Sequence, residues 1–223
     1  MNIFEKHEIF EIEILEKLKN ARLLDPLVFG GGTMLRLCHE MKRYSVVLNF
    51  WRIKDTDENI LFDKLQDLLQ KDYDITDAQM KHFIILLEIR SGGFPKRLKI
   101  EIRKEISDWD FQEKIAYSKF STKQVVLKAH TLEQTMKNKI AALLERGEVR
   151  DGFDIEFLLR QGIALPDLSI EDKTRIIARL NGFKDNDFKV KLGSVLESDI
   201  RAYYIENQFN YLRQKLESEN SLT

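Results

Sequence analysis

The sequence predicts an α/β (α+β) fold in which a mixed-sheet domain, residues 1–125, is followed by a helical domain, residues 126–223. Two observations support this prediction. Up to about residue 130, short segments rich in β-branched and aromatic residues alternate with segments of helical periodicity, and beyond it only helical periodicity is found. The length of 223 residues allows a sizeable core, and no internal repeat is visible.

The first part of the chain predicts alternating helices and strands. The opening helix is amphipathic, because apolar residues recur at helical spacing between glutamates and lysines. Beyond Pro26, a short apolar strand runs into three consecutive glycines. The predicted elements are a helix at 3–20, a strand at 27–29, a helix at 34–40, a strand at 46–53 and a helix at 59–71.

Two further β-rich segments, 81–90 and 97–105, predict a hairpin because serine, glycine and proline residues separate them. The second segment alternates between apolar and charged residues, as a strand with one buried face does. Its core-facing residues are expected to be Leu98, Ile100 and Ile102. Its opposite face would carry Lys99, Glu101 and Arg103.

The second part of the chain predicts helices only. They are expected to begin at residue 131 and to continue at 151–161, 169–180, 185–197 and 198–217. The last residues, 217–223, are expected to be frayed.

Composition and charge exclude several classes of protein. Hydrophobic residues at 43% and charged residues at 33% are typical of a folded globular protein. The 36 basic and 37 acidic residues give a net charge of −1, so any RNA site must be a local patch. No segment has the roughly 18 apolar residues of a membrane span, so we expect a cytoplasmic protein with no membrane partner. The single cysteine, Cys38, agrees with a reducing compartment and is interpreted as buried filler.

The glycine segment is the first candidate site. A strand that ends in glycines and is followed by a helix brings free backbone amides close to a phosphate, here at Gly31, Gly32 and Thr33. The alternative is a plain tight turn in an unrelated α/β protein. The strand that follows places Val47 and Asn49 on the same side, because they are two residues apart.

A second candidate site lies in the helical part. Lys139 shares the apolar face of its predicted helix with Leu143, so it either extends its head to solvent or faces a ligand. Asp151 and Asp154 are either acids stabilised by a helix dipole or members of the same site, and Arg150 could pair with either. The four histidines show no metal-ligand spacing, so no zinc site is expected.

Both segments together resemble one known family. "FGGGTML" with "RYSVVLNF", and then "KNKIAALLERGEVRDGFDIEFLL", are similar to the nucleotidyltransferases of the AbiEii/AbiGii toxin family, over roughly residues 27–160. That family has a GGT or GS turn, an Asp-x-Asp strand preceded by Arg-aromatic-Ser, a lysine-bearing helix and an Arg-Asp-x-x-Asp element. The resemblance implies a nucleotidyltransferase-like fold, Mg²⁺ and a nucleoside triphosphate as cofactors, an RNA, tRNA or protein acceptor, and a cognate antitoxin. It also implies a role in toxin–antitoxin or abortive-infection systems.

The resemblance also assigns roles to residues. Nucleotide binding falls to Gly31, Gly32, Thr33, Arg43, Ser45 and Lys139. The catalytic positions are Lys139, Asp151 and Asp154, and the metal positions are 47 and 49, with Glu101 as the third carboxylate. We expect Asn49, Glu101 and Lys139 to line one groove with the glycine turn.

The chain departs from the family at the metal positions, where Val47 and Asn49 replace two aspartates. Valine offers no ligand, and asparagine offers only a neutral oxygen. The departure implies an enzyme that is weakened or inactive, a pseudoenzyme. The alternatives are a catalytic scheme built on Glu101 and neighbouring acids, and a non-catalytic module that binds a nucleotide, RNA or a protein partner.

Overall fold

The structure, a computed structural model, describes residues 1–218. The chain divides into two compact units, one of residues 1–131 and one that begins at Leu132. The frayed end expected at 217–223 lies outside the described residues from position 219 onward. Within residues 1–218, no helix has both the length and the apolar character that a bilayer crossing requires.

The first unit contains the predicted mixed α/β arrangement. Its helices are α1 (Ile3–Asn20), α2 (Gly31–His39) and α3 (Glu58–Leu69). Its strands are β1 (Leu27–Gly30), β2 (Val47–Arg52), β3 (Asp74–Met80), β4 (Ile84–Arg90), β5 (Leu98–Ile106), β6 (Phe111–Tyr117) and β7 (Gln124–His130).

The described strands form one mixed sheet in the order β3-β4-β5-β2-β1-β7-β6. Strand β2 is antiparallel to β1 and parallel to β5, and β1 is parallel to β7. The predicted hairpin of β4 and β5 is confirmed as an antiparallel pair. The segments predicted as strands at 27–29, 46–53, 81–90 and 97–105 therefore share one sheet, as expected.

The two faces of the sheet differ in burial. One face carries the core, and its residues include Phe29, Leu48, Phe50, Leu98, Ile100 and Ile102. On the other face Val47, Asn49 and Glu101 are only half-buried, and Arg103 is exposed. The alternation predicted for β5 is thus confirmed, and positions 47, 49 and 101, which the resemblance singles out, all lie on the more open face.

Helix α1 differs from the sequence prediction in what it buries. An amphipathic helix would expose its glutamates, but His7, Glu8 and Glu11 are buried together with the apolar residues. The carboxylate of Glu8 accepts hydrogen bonds from Arg36 Nε at 2.7 Å and from Ser118 Oγ at 2.7 Å. Glu11 lies 3.5 Å from His7 Nε2 and finds no hydrogen-bond partner within residues 1–218.

Three strands were not predicted, and their positions in the sheet explain why. Strands β3 and β6 are the two edges of the sheet, and their sequences, "DITDAQM" and "FQEKIAY", are largely polar and exposed. Edge strands need less apolar character than central ones, because one side and one face meet water. Strand β7 directly precedes the helical unit, so the shift to helical periodicity concealed it.

The second unit is helical, as predicted. It contains α4 (Leu132–Glu145), α5 (Val149–Arg160), α6 (Ile170–Gly182), α7 (Ser198–Asn207) and α8 (Asn210–Ser218). An aromatic cluster fills its interior, where the rings of Phe188 and Phe209 lie 5.0 Å apart and Phe153 and Tyr204 lie 4.8 Å apart.

Two helix predictions in this unit are wrong. At 185–197 the chain forms a π-helical segment, Asp187–Leu192, and a 3₁₀ turn, Gly193–Val195. Gly193 packs so closely that a Cβ would lie 2.8 Å from the carbonyl oxygen of Phe188. At 198–217 the helix is broken at Gln208, whose φ of 50° turns the chain so that Phe209 enters the aromatic cluster.

Glu11 gives the first unit a pH-dependent stability. Burial, reinforced by the nearby Glu8, raises the pKa of the Glu11 carboxyl well above its ordinary 4.5. The folded state therefore keeps a proton that the unfolded state loses, so the free energy of unfolding falls as pH rises from 4.5 through the folded pKa. We expect Glu11→Gln to be more stable than the parent, by a margin that grows from about pH 5 to about pH 8.

Urea unfolding followed by tryptophan fluorescence measures this margin, because the chain has 2 tryptophans and both lie in the first unit. The matched control is Glu16→Gln on the same helix, whose partly exposed carboxylate pairs with Lys123. A difference between parent and Glu11→Gln that stays constant over this range would contradict the prediction.

Candidate functional site

The glycine turn joins β1 to α2 directly. Gly30 ends the strand in an extended conformation, and Gly31 has a φ of +77°, which favours glycine. Helix α2 thus begins at Gly31, three residues before the predicted start. No side chain of Gly30 can cap the helix, so the first-turn amides are left for another acceptor. Such amides form an anion-binding site.

The turn is also in close contact with the residues that follow α2. A Cβ on Gly32 would lie 2.3 Å from Arg43 Nη2 and 3.2 Å from Ser45 Oγ. A Cβ on Gly31 would lie 3.0 Å from Asn49 Nδ2. The absence of side chains at Gly31 and Gly32 is therefore required for this packing, and the structure brings together residues that are 11 to 18 positions apart in the sequence.

Arg43 adds a positive charge next to the start of α2. Its side chain is buried, and Nη1 donates a hydrogen bond to the carbonyl of Tyr44 at 3.0 Å. Thr33 does not face the same way, since its Oγ1 donates to the carbonyl of Val47 at 2.7 Å. The turn therefore combines helix amides with a fixed guanidinium, which together favour a phosphate group.

The positions that the sequence resemblance assigns to metal ligands lie beside this turn. Asn49 pairs with Gly30 across β1 and β2, and with Glu101 across β2 and β5. Asn49 Nδ2 donates to the carbonyl of Val47 at 3.2 Å. The register thus places Asn49 and Glu101 side by side on one face, with Val47 two residues before Asn49.

The donor atoms at these positions do not fit a pair of Mg²⁺ ions. Two-metal sites hold ions about 4 Å apart with several anionic oxygens, which Mg²⁺ prefers. Here Val47 has no donor atom, Asn49 has one neutral oxygen, and only Glu101 has a carboxylate. Over the described range 1–218, no group of three or more histidine, cysteine, aspartate or glutamate side chains is arranged to hold a metal.

In the helical unit, Lys139 lies inside an ion-pair network. Its Nζ is 2.6 Å from Asp154 Oδ2 and 3.3 Å from Asp151 Oδ1, and both carboxylates are fully buried. Arg146 donates from Nε and Nη2 to the two oxygens of Asp151 at 2.8 and 2.7 Å. This bidentate bond raises the pKa of Arg146 above its ordinary value, despite partial burial.

The geometry of this network decides between the interpretations that the sequence allowed for Lys139 and Arg150. Lys139 is only 8% exposed, so it does not extend its head to solvent. Arg150 pairs with Glu148 and not with Asp151 or Asp154, contrary to the interpretation from sequence. The inward direction of Lys139 agrees with its family role, but its observed partners are carboxylates. That Lys139, Asn49 and Glu101 line one groove stays a prediction.

A third group of residues was missed by the sequence analysis. Trp51 lies on the same strand face as Val47 and Asn49, and it contacts Trp109, His130 and Arg103. The signal was present in the alternation of β2, where positions 47, 49 and 51 share a side. The contact of Trp51 with His130 could not be found, because β7 was not predicted.

The ion-pair network predicts that replacing Lys139 lowers stability. This effect separates a structural role of Lys139 from a role in ligand binding alone. Lys139→Met should leave Asp154 buried beside a neutral side chain, which typically costs about 3–5 kcal/mol of folding free energy. Replacing both partners, as Lys139→Met with Asp154→Leu, should recover most of that loss, because no buried charge is left uncompensated. Chemical unfolding followed by far-ultraviolet circular dichroism measures both values.

The matched control for this series is Lys137→Met, an exposed lysine on the same helix, which should change stability by no more than about 0.5 kcal/mol. If Lys139→Met is as stable as Lys137→Met, the network does not stabilise the unit, and Lys139 serves a ligand alone.

Comparisons with solved structures identify the fold. Solved structures with a similar fold include JHP933 from Helicobacter pylori, with a TM-score of 0.50 and 17% identity, where the match covers 95% of each chain. A second Helicobacter pylori protein, proposed to be a nucleotidyltransferase, has a TM-score of 0.54 and 18% identity over 94% of this chain and 96% of its own. MenT4, a nucleotidyltransferase toxin from Mycobacterium tuberculosis, has a TM-score of 0.46 and 15% identity over 92% and 94%.

Sequence comparison identifies the family itself. A search of curated proteins finds no match. Residues 13–201, most of the chain, match the family described as "Nucleotidyl transferase AbiEii toxin, Type IV TA system". The mixed sheet followed by helices, the glycine turn and the two sequence segments all agree with this match. The chain therefore belongs to the AbiEii nucleotidyltransferase toxin family.

Proposed function

We propose that this protein binds a nucleoside triphosphate at the glycine turn and has lost most or all of the two-metal transfer reaction of its family. The donor atoms on β2 and β5 carry this proposal. Nucleotidyl transfer needs metal ions that activate the attacking hydroxyl and neutralise the leaving pyrophosphate. With Val47 and Asn49 beside Glu101, one carboxylate stands where three would be needed.

Nucleotide binding is supported by what the site retains. The first-turn amides of α2 have no side-chain cap, and the guanidinium of Arg43 lies against Gly32. These groups bind phosphate oxygens directly and need no metal between them. A site with positive groups and one nearby carboxylate should bind a triphosphate with little dependence on Mg²⁺.

The remaining partners follow from the family. Its type IV toxin–antitoxin assignment supports a cognate antitoxin for this chain. An RNA acceptor, tRNA included, is the substrate class we favour, because the open sheet face also carries exposed Arg103. The alternative is a binding module, in which the transfer reaction is lost completely.

Restoring both acids tests the proposal. We expect Val47→Asp with Asn49→Asp to gain Mg²⁺-dependent transfer of label from a nucleoside triphosphate to RNA, and to slow growth when expressed. The reason is that the two half-buried positions point the same way, next to Glu101, so the restored acids complete a hard oxygen site. The parent chain should show little transfer in the same assay.

The control variant makes the same chemical change elsewhere. Val126→Asp with Asn59→Asp adds two acids at exposed positions in β7 and α3, so it matches the restored variant in charge and composition. It should remain as inactive as the parent. Strong Mg²⁺-dependent transfer by the parent would overturn the proposed loss of activity, and silence of a folded restored variant would favour the pure binding module.

Metal dependence of binding gives a separate prediction. Calorimetric titration of the parent with each nucleoside triphosphate should give affinities in EDTA and in Mg²⁺ that agree within about threefold, because no metal joins the phosphates to β2. The restored variant should instead bind much more tightly with Mg²⁺. A parent chain that binds only when Mg²⁺ is present would show that another set of acids holds the metal.

A further inference from the structure

An aromatic cluster lies on the open face of the sheet next to the glycine turn. The ring centroids of Trp51 and His130 are 4.7 Å apart, those of Trp109 and His130 are 5.8 Å apart, and those of the two tryptophans are 6.4 Å apart. Trp51 and His130 are buried, whereas Trp109 is half-buried. Trp109 is therefore the most accessible ring of the cluster, and Trp51 and His130 pack against it.

The cluster touches the turn itself. A Cβ on Gly30 would lie 2.6 Å from Cζ3 of Trp51 and 2.7 Å from Nδ1 of His130. Gly30 is also the residue that precedes the first turn of α2, which has no side-chain cap. Aromatic surface and phosphate-binding amides are thus adjacent, and the bare backbone of one glycine separates them.

Arg103 completes the surface. Its guanidinium carbon lies 5.6 Å from the centre of the Trp51 ring, on the exposed side of β5. Among residues 1–218 the Arg103 guanidinium makes no hydrogen bond or ion pair. A planar cation held by an aromatic ring, with its donors and outer face available, stacks on bases and binds phosphate oxygens.

We propose that Trp109 and Arg103, supported by Trp51 and His130, form a nucleobase-binding surface. An unpaired base stacks on the accessible part of the half-buried indole of Trp109, with Arg103 beside it, and the attached phosphates reach the start of α2. Stacking on aromatic side chains is sequence-tolerant, because every base has a π-face. The base belongs either to the nucleoside triphosphate or to the end of a single-stranded RNA. Binding of the base of a nucleoside triphosphate rests on the proposed function, whereas binding of an RNA base does not.

The two tryptophans supply the test, because the chain has 2 and both are in this cluster. Tryptophan fluorescence of the full chain is followed during titration with ATP, GTP, CTP and UTP, with inorganic triphosphate, and with an unstructured RNA oligomer. We expect quenching by ligands that carry a base and none by inorganic triphosphate. Calorimetry on the same samples measures binding independently of the rings.

Variants then assign the effect to the surface. Trp109→Ala should weaken binding of base-carrying ligands about tenfold, and Trp109→Phe should keep it within about threefold, since it retains an aromatic face. Arg103→Gln, at an exposed position, should also weaken it without changing the fold. The control is Phe83→Ala, which removes an aromatic ring that is 75% exposed on the turn before β4 and should have no effect.

The outcomes separate this inference from the proposed function. Calorimetric binding of triphosphates with unchanged fluorescence, and equal affinity in parent and Trp109→Ala, would overturn the nucleobase surface and leave triphosphate binding intact. Quenching by RNA without binding of any triphosphate would support the surface and contradict nucleotide binding at the turn. No binding of either ligand would overturn both.

Discussion

The first unit depends on the exclusion of side chains at three consecutive positions, 30 to 32. A Cβ at Gly30 would meet the Trp51 and His130 rings, one at Gly31 would meet Asn49, and one at Gly32 would meet Arg43. Side chains from β2, β7 and the loop after α2 therefore all approach the backbone of this turn at the end of β1. The uncapped start of α2 and the order of strands around it follow from this close approach.

The two halves of the family signature are constrained in different ways. Lys139, Asp151 and Asp154 are buried and joined by ion pairs, so replacement of any one of them weakens a buried network of charges. Val47 and Asn49 lie on an open sheet face and take part in no ion pair. The helical residues thus contribute to folding as well as to any reaction, whereas Val47 and Asn49 carry no charge on which folding depends.

The strongly patterned parts of the fold were predictable from sequence. Strand β5 alternates cleanly, and the glycine turn stands out in composition, so both were placed correctly. Edge strands β3 and β6 lack that pattern, and the buried Glu8 and Glu11 contradict the polarity on which helix prediction relies. At the site, sequence indicated that Arg43 and Ser45 belong with Gly32. It could not indicate that Arg146 binds Asp151 or that Trp51 meets His130, because these contacts depend on tertiary packing.

The retained geometry of β2 has a genetic consequence. Asparagine codons are a single base change from aspartate codons, and every valine codon is a single base change from an acidic one. The two half-buried side chains already point to the open face beside Glu101, so the strand would accept acids there without being rebuilt. Two single-base changes would therefore place two acids beside Glu101 on this face.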